Sequence, residues 1–461
     1  MKTSQFEDLA NQQSEYFWTG KTRSLIFRIN ALEGLRNMIN ANTDRIIQAL
    51  ERDLKKPAVE AFTSEVMVIL KDIDIALKHI RRWTSPARVP TPRMLWPSSS
   101  YSIPEPRGRV LIMGPWNYPF VLTFAPLVSA LAAGNTVCLK PSELSVHSSR
   151  LMESLIKEHF DSGHISVVPG GVDTAEALLA RKWDHIFFTG GTDTGKKVLQ
   201  KCSETLTPVT LELGGKNPCI VDKDIPIPKA ARRIAWGKFF NAGQTCAAPD
   251  YLWMHKSVKD DLLEEVERAI KEFFGSDPQK SPDYARIINT AHFRRLSDII
   301  DSSKVAAGGM VDEDDLYVGP TILEDVNWES KAMQSEIFGP LLPVMEFTKL
   351  EEVITEFRNR PEPLTLYFFS RDRKQQKRMH RETRSGSICF NHVMMQVMNR
   401  RLPFGGLGSS GMGQYHGKAG FDAFSHYRGV VKKGFFPDFS LAYPPYTSSV
   451  ETLKKVMRFF Y

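Results

Sequence analysis

A membrane-spanning helix needs ~18 or more apolar residues in succession, and no stretch of the 461-residue chain approaches that. Cysteine is scarce too. The five present, Cys138, Cys202, Cys219, Cys246 and Cys389, are odd in number and lack closely spaced pairs, which argues against a disulfide framework or a zinc knuckle and favours a reducing compartment. No long basic or acidic run occurs either. Lysine and arginine number 60 against 53 aspartates and glutamates, so the net charge of +7 is thinly spread and does not imply nucleic acid as a partner. The opening MKTSQFEDLANQQSEYFWTG has no apolar core behind its first lysine. These absences predict a cytoplasmic protein with no membrane span and no metal centre.

What is present suits a large folded protein. With 42% hydrophobic and 25% charged residues the chain reads as globular, and its length predicts two or three domains with a cleft between them. Residues 22–55 and 59–82 carry apolar side chains at helical spacing (Leu25, Ile29, Leu32 and Leu35; Val66, Ile69, Ile73 and Leu77), predicting two N-terminal helices. From Arg109 short apolar runs alternate with helical ones: RVLIM, TVCLK, HISVVP, DHIFFTG and PVTLEL, each separated by enough chain for a crossover helix. That alternation predicts an α/β fold with a doubly wound parallel sheet. A second α/β series starts at PCIVD and closes with SGSICFN, by about residue 395. Between the N-terminal helices and the first sheet, residues 84–106 hold Pro86, Pro90, Pro92, Pro97, Pro104 and Pro106, a composition hostile to a central strand and expected to form an arm or edge strand. The tail from residue 430 shows no clear periodicity.

Several residues are placed where chemistry could occur, each with an ordinary reading beside it. Cys246, in FFNAGQTCAAPD, sits among small residues and is either an exposed nucleophile or a structural loop cysteine, whereas Cys138 and Cys389 lie in apolar runs that suit inert buried thiols. Glu212 ends an apolar strand just before Gly214 and Gly215, at the sheet edge where such folds bind ligands. It is a candidate general base with a raised pKa, or a strand-end residue facing water. Asn117, after the strand in VLIMGPWNYPF, is a turn residue or an amide donor to a developing oxyanion, and Trp116 beside it reads as core. In FFTGGTDTGKK, Gly190, Gly195 and Lys196 mimic a P-loop, but Lys197 stands where a magnesium-ligating hydroxyl belongs. What survives is a glycine-rich turn into a helix N-terminus, suited to a dinucleotide pyrophosphate. Lys140 and Glu143 in CLKPSE are a surface ion pair or a grip on ribose, and Glu336 with Phe338 in SEIFGP is by itself a loop.

Taken together, PWNYP at 115–119, KPSE at 140–143, FTGGTDTG at 188–195, LELGGK at 211–216, GQTCAAPDY at 243–251, EIFGP at 336–340 and PFGGLGSSGMGQYHGK at 403–418 resemble the aldehyde dehydrogenase superfamily, and in detail its class 3 or fatty-aldehyde branch. The resemblance implies a Rossmann-like cofactor domain over 1–213 interrupted by the 84–106 arm, a catalytic domain over 214–395, and a return segment with an oligomerisation arm over 396–461. It implies Cys246 as nucleophile, Glu212 as base, and Asn117 with the Cys246 amide as oxyanion hole. Lys140 and Glu143 would hold the adenosine ribose, Glu336 the nicotinamide ribose, and Phe338 the ring; Trp116, Gly190, Gly191, Gly195 and Leu213 would complete the cofactor site. Gly191 departs from relatives that carry serine or asparagine there, leaving phosphate to backbone amides. The implied cofactor is NAD, with NADP possible, and the implied partners are a small apolar aldehyde and a second copy of the chain. Glu212 argues against relatives that transfer the acyl group to coenzyme A. The competing readings are a catalytically silent protein on the same fold, a thioesterase using Cys246, and a P-loop NTPase.

Overall fold

The computed structural model describes residues 3–438, 443–446 and 448–460. Its first sheet runs, in spatial order, Gly411–Met412, Val209–Leu213, His185–Gly190, Arg109–Met113, Thr136–Lys140 and Ile165–Val167. Every pairing is parallel except that of Gly411–Met412, which returns antiparallel to Val209–Leu213. The strand that comes first in sequence lies in the middle, so the winding reverses there, and the crevice opens beyond the carboxyl ends of Arg109–Met113 and His185–Gly190. Alternation explains why the strands read as unbroken apolar runs. Val110 and Ile112 pack into a core with the helices Leu25–Ala41, Met67–Trp83 and Val121–Ala133, while Leu111 and Met113 face a second core with Phe6, Leu178 and Val198.

A second sheet has the order Lys304–Ala307, Thr321–Glu324, Leu341–Phe347, Tyr251–His255, Pro218–Val221, Thr365–Phe369 and Ser387–Phe390. Its one antiparallel pairing lies at the outer edge, between Lys304–Ala307 and Thr321–Glu324. The same two-sided burial recurs: Tyr367 and Phe369 face one core, Leu366 and Phe368 the other.

Three elements differ from the sequence-based expectation. Thr3–Trp18 forms a helix ahead of the two expected, and the 22–55 segment breaks at Asn42 into Leu25–Ala41 and Thr43–Leu54. Asn42 Nδ2 donates to the Met38 carbonyl at 2.9 Å while its Oδ1 accepts from Arg45, so the side chain serves both helix ends and the apolar spacing carries on across the break. The proline-rich segment forms Ala87–Val89 and Ser98–Pro106, and the latter is the middle strand of a three-stranded antiparallel sheet completed by Ser425–Lys433. Its prolines are tolerated for a local reason. Ala87–Val89 pairs only with residues 100–102, so Pro104 and Pro106 have a partner strand on one side. Arg107 N donates to Phe424 O, which sets the parity: the missing N–H of both prolines falls on the unpartnered side. In the tail a helix spans Val450–Phe460, whereas 439–442, 447 and Tyr461 lie outside the described residues. No helix among the described residues is long and apolar enough to cross a membrane.

Candidate active site

Two loops, one from each sheet, meet above the crevice. The first leaves Arg109–Met113 through Gly114, where an added methyl would overlap Thr123 Oγ1, and passes Trp116 and Asn117 into the helix Val121–Ala133. That helix has no side-chain cap of its own. Instead Glu65 Oε2 accepts from the amides of Phe120 at 2.8 Å and Val121 at 3.2 Å. The other Glu65 oxygen accepts from Lys56 Nζ at 2.8 Å, and the same ammonium donates to the Asn117 carbonyl at 3.0 Å. It also stands 4.1 Å from the centroid of the Tyr118 ring. Both side chains of this ion pair are fully buried.

The second loop carries Cys246 and is wound in an unusual conformation, with Asn241 at φ 52°, Ala242 at φ 50° and Gly243 at φ 73°. A methyl at Gly243 would overlap the Gly339 carbonyl, so only glycine fits. Asn241 Nδ2 donates to the carbonyls of Asn117 and Gln244 at 3.1 and 3.2 Å. Asn117 Nδ2 donates to Gln244 O at 3.0 Å, and the Tyr118 and Thr245 hydroxyls hydrogen-bond at 2.7 Å. Gln244 is satisfied at both ends, donating to Asn241 O and Arg286 O and accepting from Ile288 N. From the far side Asn217 donates to the carbonyls of Cys246 and Ala248. The loops are thus stitched by a network of buried side-chain amides, in which Asn241 Oδ1 is left without a partner.

Cys246 and Glu212 line one cavity of about 870 Å³, shared with Tyr118, Trp236, Phe240 and Tyr415. Four of the five cysteines are buried; Cys246 alone is partly accessible. Burial, and after it the charges of Glu212 and Glu336, push the Cys246 thiol up, against the opposing pull of its own amide and that of Ala247. Those two amides therefore face the sulfur. Glu212 is buried at the end of its strand, neither carboxylate oxygen meets a hydrogen-bond partner on the protein, and desolvation holds its pKa well above the usual carboxylate range.

The remaining candidates gather along the same sheet edge. Gly190 and Gly191 precede the helix Thr192–Thr205, and Gly195 in its first turn lets it close on Leu213, since a methyl there would lie 2.6 Å from Leu213 Cδ2. Gly191 itself has open space where a side chain would stand. The Trp116 and Phe338 rings meet edge to face at 5.3 Å, and Phe338 is held at φ 49°. Glu336 lies against Gly214, and its carboxyl is pushed up to about 8 by burial and by Asp250, against the Gly215 amide, Lys216 and Arg295. Lys140 is buried at its strand end and reaches the half-exposed Glu143 at 3.3 Å. Gly191 and Glu336 both line a second cavity of about 580 Å³ between the sheets, which Trp116, Lys140, Glu143, Leu213 and Phe338 do not reach. Asn117 lines neither cavity and is buried, its side-chain amide on the Gln244 carbonyl. Sequence reasoning missed Lys56, Glu65 and Asn217. No local signal separates buried Lys56 from exposed Lys55 beside it.

Glu65→Gln should keep the cap on Phe120 but strand the Lys56 charge, lowering stability by about 3–5 kcal/mol and the thermal midpoint with it. Adding Lys56→Met should recover part of that loss, because the unpaired charge is gone. A double variant less stable than Glu65→Gln would contradict this account of the pair.

The aldehyde dehydrogenase family profile matches residues 2–430. The chain is 44% identical over 441 residues to 4,4'-diaponeurosporen-aldehyde dehydrogenase of Staphylococcus aureus, covering 95% of this chain and 96% of that one. It is 45% identical over 444 residues to the dimeric NADP-preferring aldehyde dehydrogenase of Rattus norvegicus, covering 96% and 98%. A substrate-bound structure of Staphylococcus aureus AldH superimposes with a TM-score of 0.96 at 43% identity, covering 98% of this chain and 99% of that one. An NAD-dependent aldehyde dehydrogenase from Sinorhizobium meliloti gives 0.87 at 26% identity, covering 95% and 88%. With a family profile over nearly its whole length and relatives of this similarity, the chain belongs to the aldehyde dehydrogenase family.

Proposed function

We propose that this chain oxidises an apolar aldehyde to a free carboxylic acid through a thioester on Cys246, with NAD as the preferred acceptor and NADP tolerated. The observation that carries the reading is the pairing in one cavity of a partly accessible thiol with a buried carboxyl whose oxygens have no protein partner. The Cys246 sulfur attacks the aldehyde carbon, and the resulting oxyanion is held by the Asn117 amide and the Cys246 N–H. The nicotinamide, when bound, accepts the hydride. The residues fit such a cofactor: the first-turn amides of Thr192–Thr205 follow Gly191, which has open space beside it, Gly195 permits close packing on Leu213, and Glu336 lines the same cavity as Gly191. Glu212 then takes a proton from water as the water oxygen attacks the thioester carbon, the carbon–sulfur bond breaks, and Cys246 is regenerated.

Apolar walls built from Val121, Leu122, Trp236, Phe240, Val397 and Phe404 support a hydrophobic substrate, and the Staphylococcus aureus relative is named for 4,4'-diaponeurosporen-aldehyde. The division into a cofactor domain over 1–213, a catalytic domain over 214–395 and a return segment with an arm over 396–461 follows the two sheets. The three-stranded sheet, with Val89, Met94, Trp96 and Val431 exposed, is proposed as the dimerisation arm of a cytoplasmic homodimer. Light scattering at micromolar concentration should give twice the chain mass; a monomer would remove the dimer.

Cys246→Ala should abolish dehydrogenase and esterase turnover while NAD binding persists. Glu212→Gln should slow hydrolysis by ~10²–10⁴-fold while the first turnover survives as a burst of reduced cofactor, with the acyl group found on the Cys246 peptide. Because burial raises the Glu212 pKa, its base form is lost as pH falls through that raised value, so the acid limb of the hydrolytic rate should lie above the ordinary carboxylate range. Glu212→Gln should remove that limb; turnover at the parent rate would contradict the assignment. Glu143, half-exposed beside Lys140, should repel a ribose 2′-phosphate, so kcat/KM should be higher with NAD and Glu143→Gln should narrow the gap. A higher kcat/KM with NADP in the parent protein would refute this.

A further inference from the structure

Tyr415 is buried on the wall of the cavity that holds Cys246 and Glu212. Its backbone is fixed by paired hydrogen bonds with Phe404, at 3.0 and 2.8 Å, and its ring is wedged edge-on against Phe187 at 5.1 Å and His416 at 4.3 Å. Behind the phenol lies a guanidinium with no freedom. Arg400 is gripped by both oxygens of buried Asp72, Nε at 2.8 Å and Nη2 at 2.5 Å, while its Nη1 meets His416 Nε2. Burial keeps His416 neutral, so that nitrogen accepts. The Arg400 guanidinium carbon lies 5.9 Å from the centre of the Tyr415 ring. A guanidinium has only donors, so Arg400 cannot accept the phenol proton, and the Tyr415 O–H is available to an acceptor in the cavity.

On the cavity side, Glu212 and Cys246 are electrostatically coupled to that phenol. Neither Glu212 oxygen hydrogen-bonds to it. Both groups line the same cavity, which has room for a water.

We propose that Tyr415, held by the Asp72–Arg400 pair, positions the water that hydrolyses the thioester by donating its O–H to the water oxygen while Glu212 accepts the water's proton. This rests on the role given above to Glu212. With one hydrogen on Glu212 and one lone pair on Tyr415, the remaining lone pair is aimed at the acyl carbon. The oxygen–carbon bond forms, the proton moves to Glu212, the carbon–sulfur bond breaks to release the Cys246 thiolate, and Tyr415 keeps its own proton throughout. Tyr415 is a positioning residue for the second half-reaction and has no part in hydride transfer.

The test is Tyr415→Phe in the full-length protein, assayed with NAD and hexanal by rapid mixing, with Glu212→Gln and the parent alongside. Loss of one positioning hydrogen bond should lower the steady rate by about tenfold. The first-turnover rate and kcat/KM should hold, KM should fall with the steady rate, and acyl–Cys246 should accumulate. Hydroxylamine, which attacks a thioester without a positioned base, should restore turnover, as it would not for a misfolded site. A parent-like steady rate, or a first turnover slowed in step with it, overturns the proposal. If Glu212→Gln accumulates the acyl enzyme and Tyr415→Phe does not, Tyr415 alone falls; if Glu212→Gln also turns over normally, the assignment of the base falls with it. Should Tyr415→Phe fail to fold, Arg400→Lys, which removes the guanidinium fork but keeps the charge, must show the same hydroxylamine-rescued defect, and its absence counts against the proposal.

Discussion

A single buried ammonium holds the two halves of the site in register. Lys56 donates at once to Glu65, which caps the helix Val121–Ala133, and to the carbonyl of Asn117, on the loop that enters that helix. The pair gains little net stability, because two desolvated ions roughly offset their own attraction. Its contribution is geometric. With the Asn117 carbonyl anchored between Lys56 and Asn241, the side-chain amide can reach Gln244 O, and the loop bearing Cys246 is tied to a strand end of the other sheet. An oxyanion site assembled from two sheets needs such a tie, since donors misplaced by 1 Å lose much of their effect.

Beside this network Glu212 stands out by what it lacks. Asn117, Asn217, Asn241 and Gln244 all make hydrogen bonds within the loops. Glu212 makes none, although it is equally buried. A carboxyl left unpartnered in a cavity is costly to the fold and useful only to a reaction that supplies its partner. The elevated pKa of Glu212 and the raised thiol of Cys246 have the same origin, desolvation by a shared apolar cavity. The cavity that encloses both groups thus shifts both in the same direction.

Much of this was legible in the sequence where burial on both faces makes a strand a continuous apolar run. RVLIM, TVCLK and PVTLEL match their strands to within a residue, Glu212 is the next-to-last residue of Val209–Leu213, and Gly191 directly follows His185–Gly190. Other features depend on partners that no local pattern reveals. Ser98–Pro106 is an inner strand despite its prolines because parity turns their missing N–H groups to the side left unpaired. Helical spacing runs unbroken through Asn42, so the break is invisible without the side-chain bonds that make it. Nothing local in the sequence marks Lys56 or Glu65; their role comes from the burial of both beside Tyr118 and the helix beginning at Val121.

The central claim is that the tie between the loops presents the Asn117 amide to the oxyanion formed on Cys246. It is tested most directly by single-turnover hydride transfer in Asn117→Ala with saturating NAD and aldehyde. The account predicts a first turnover slowed by ~10²–10³-fold, the usual worth of one oxyanion donor, with NAD affinity unchanged. A first turnover at the parent rate would contradict it.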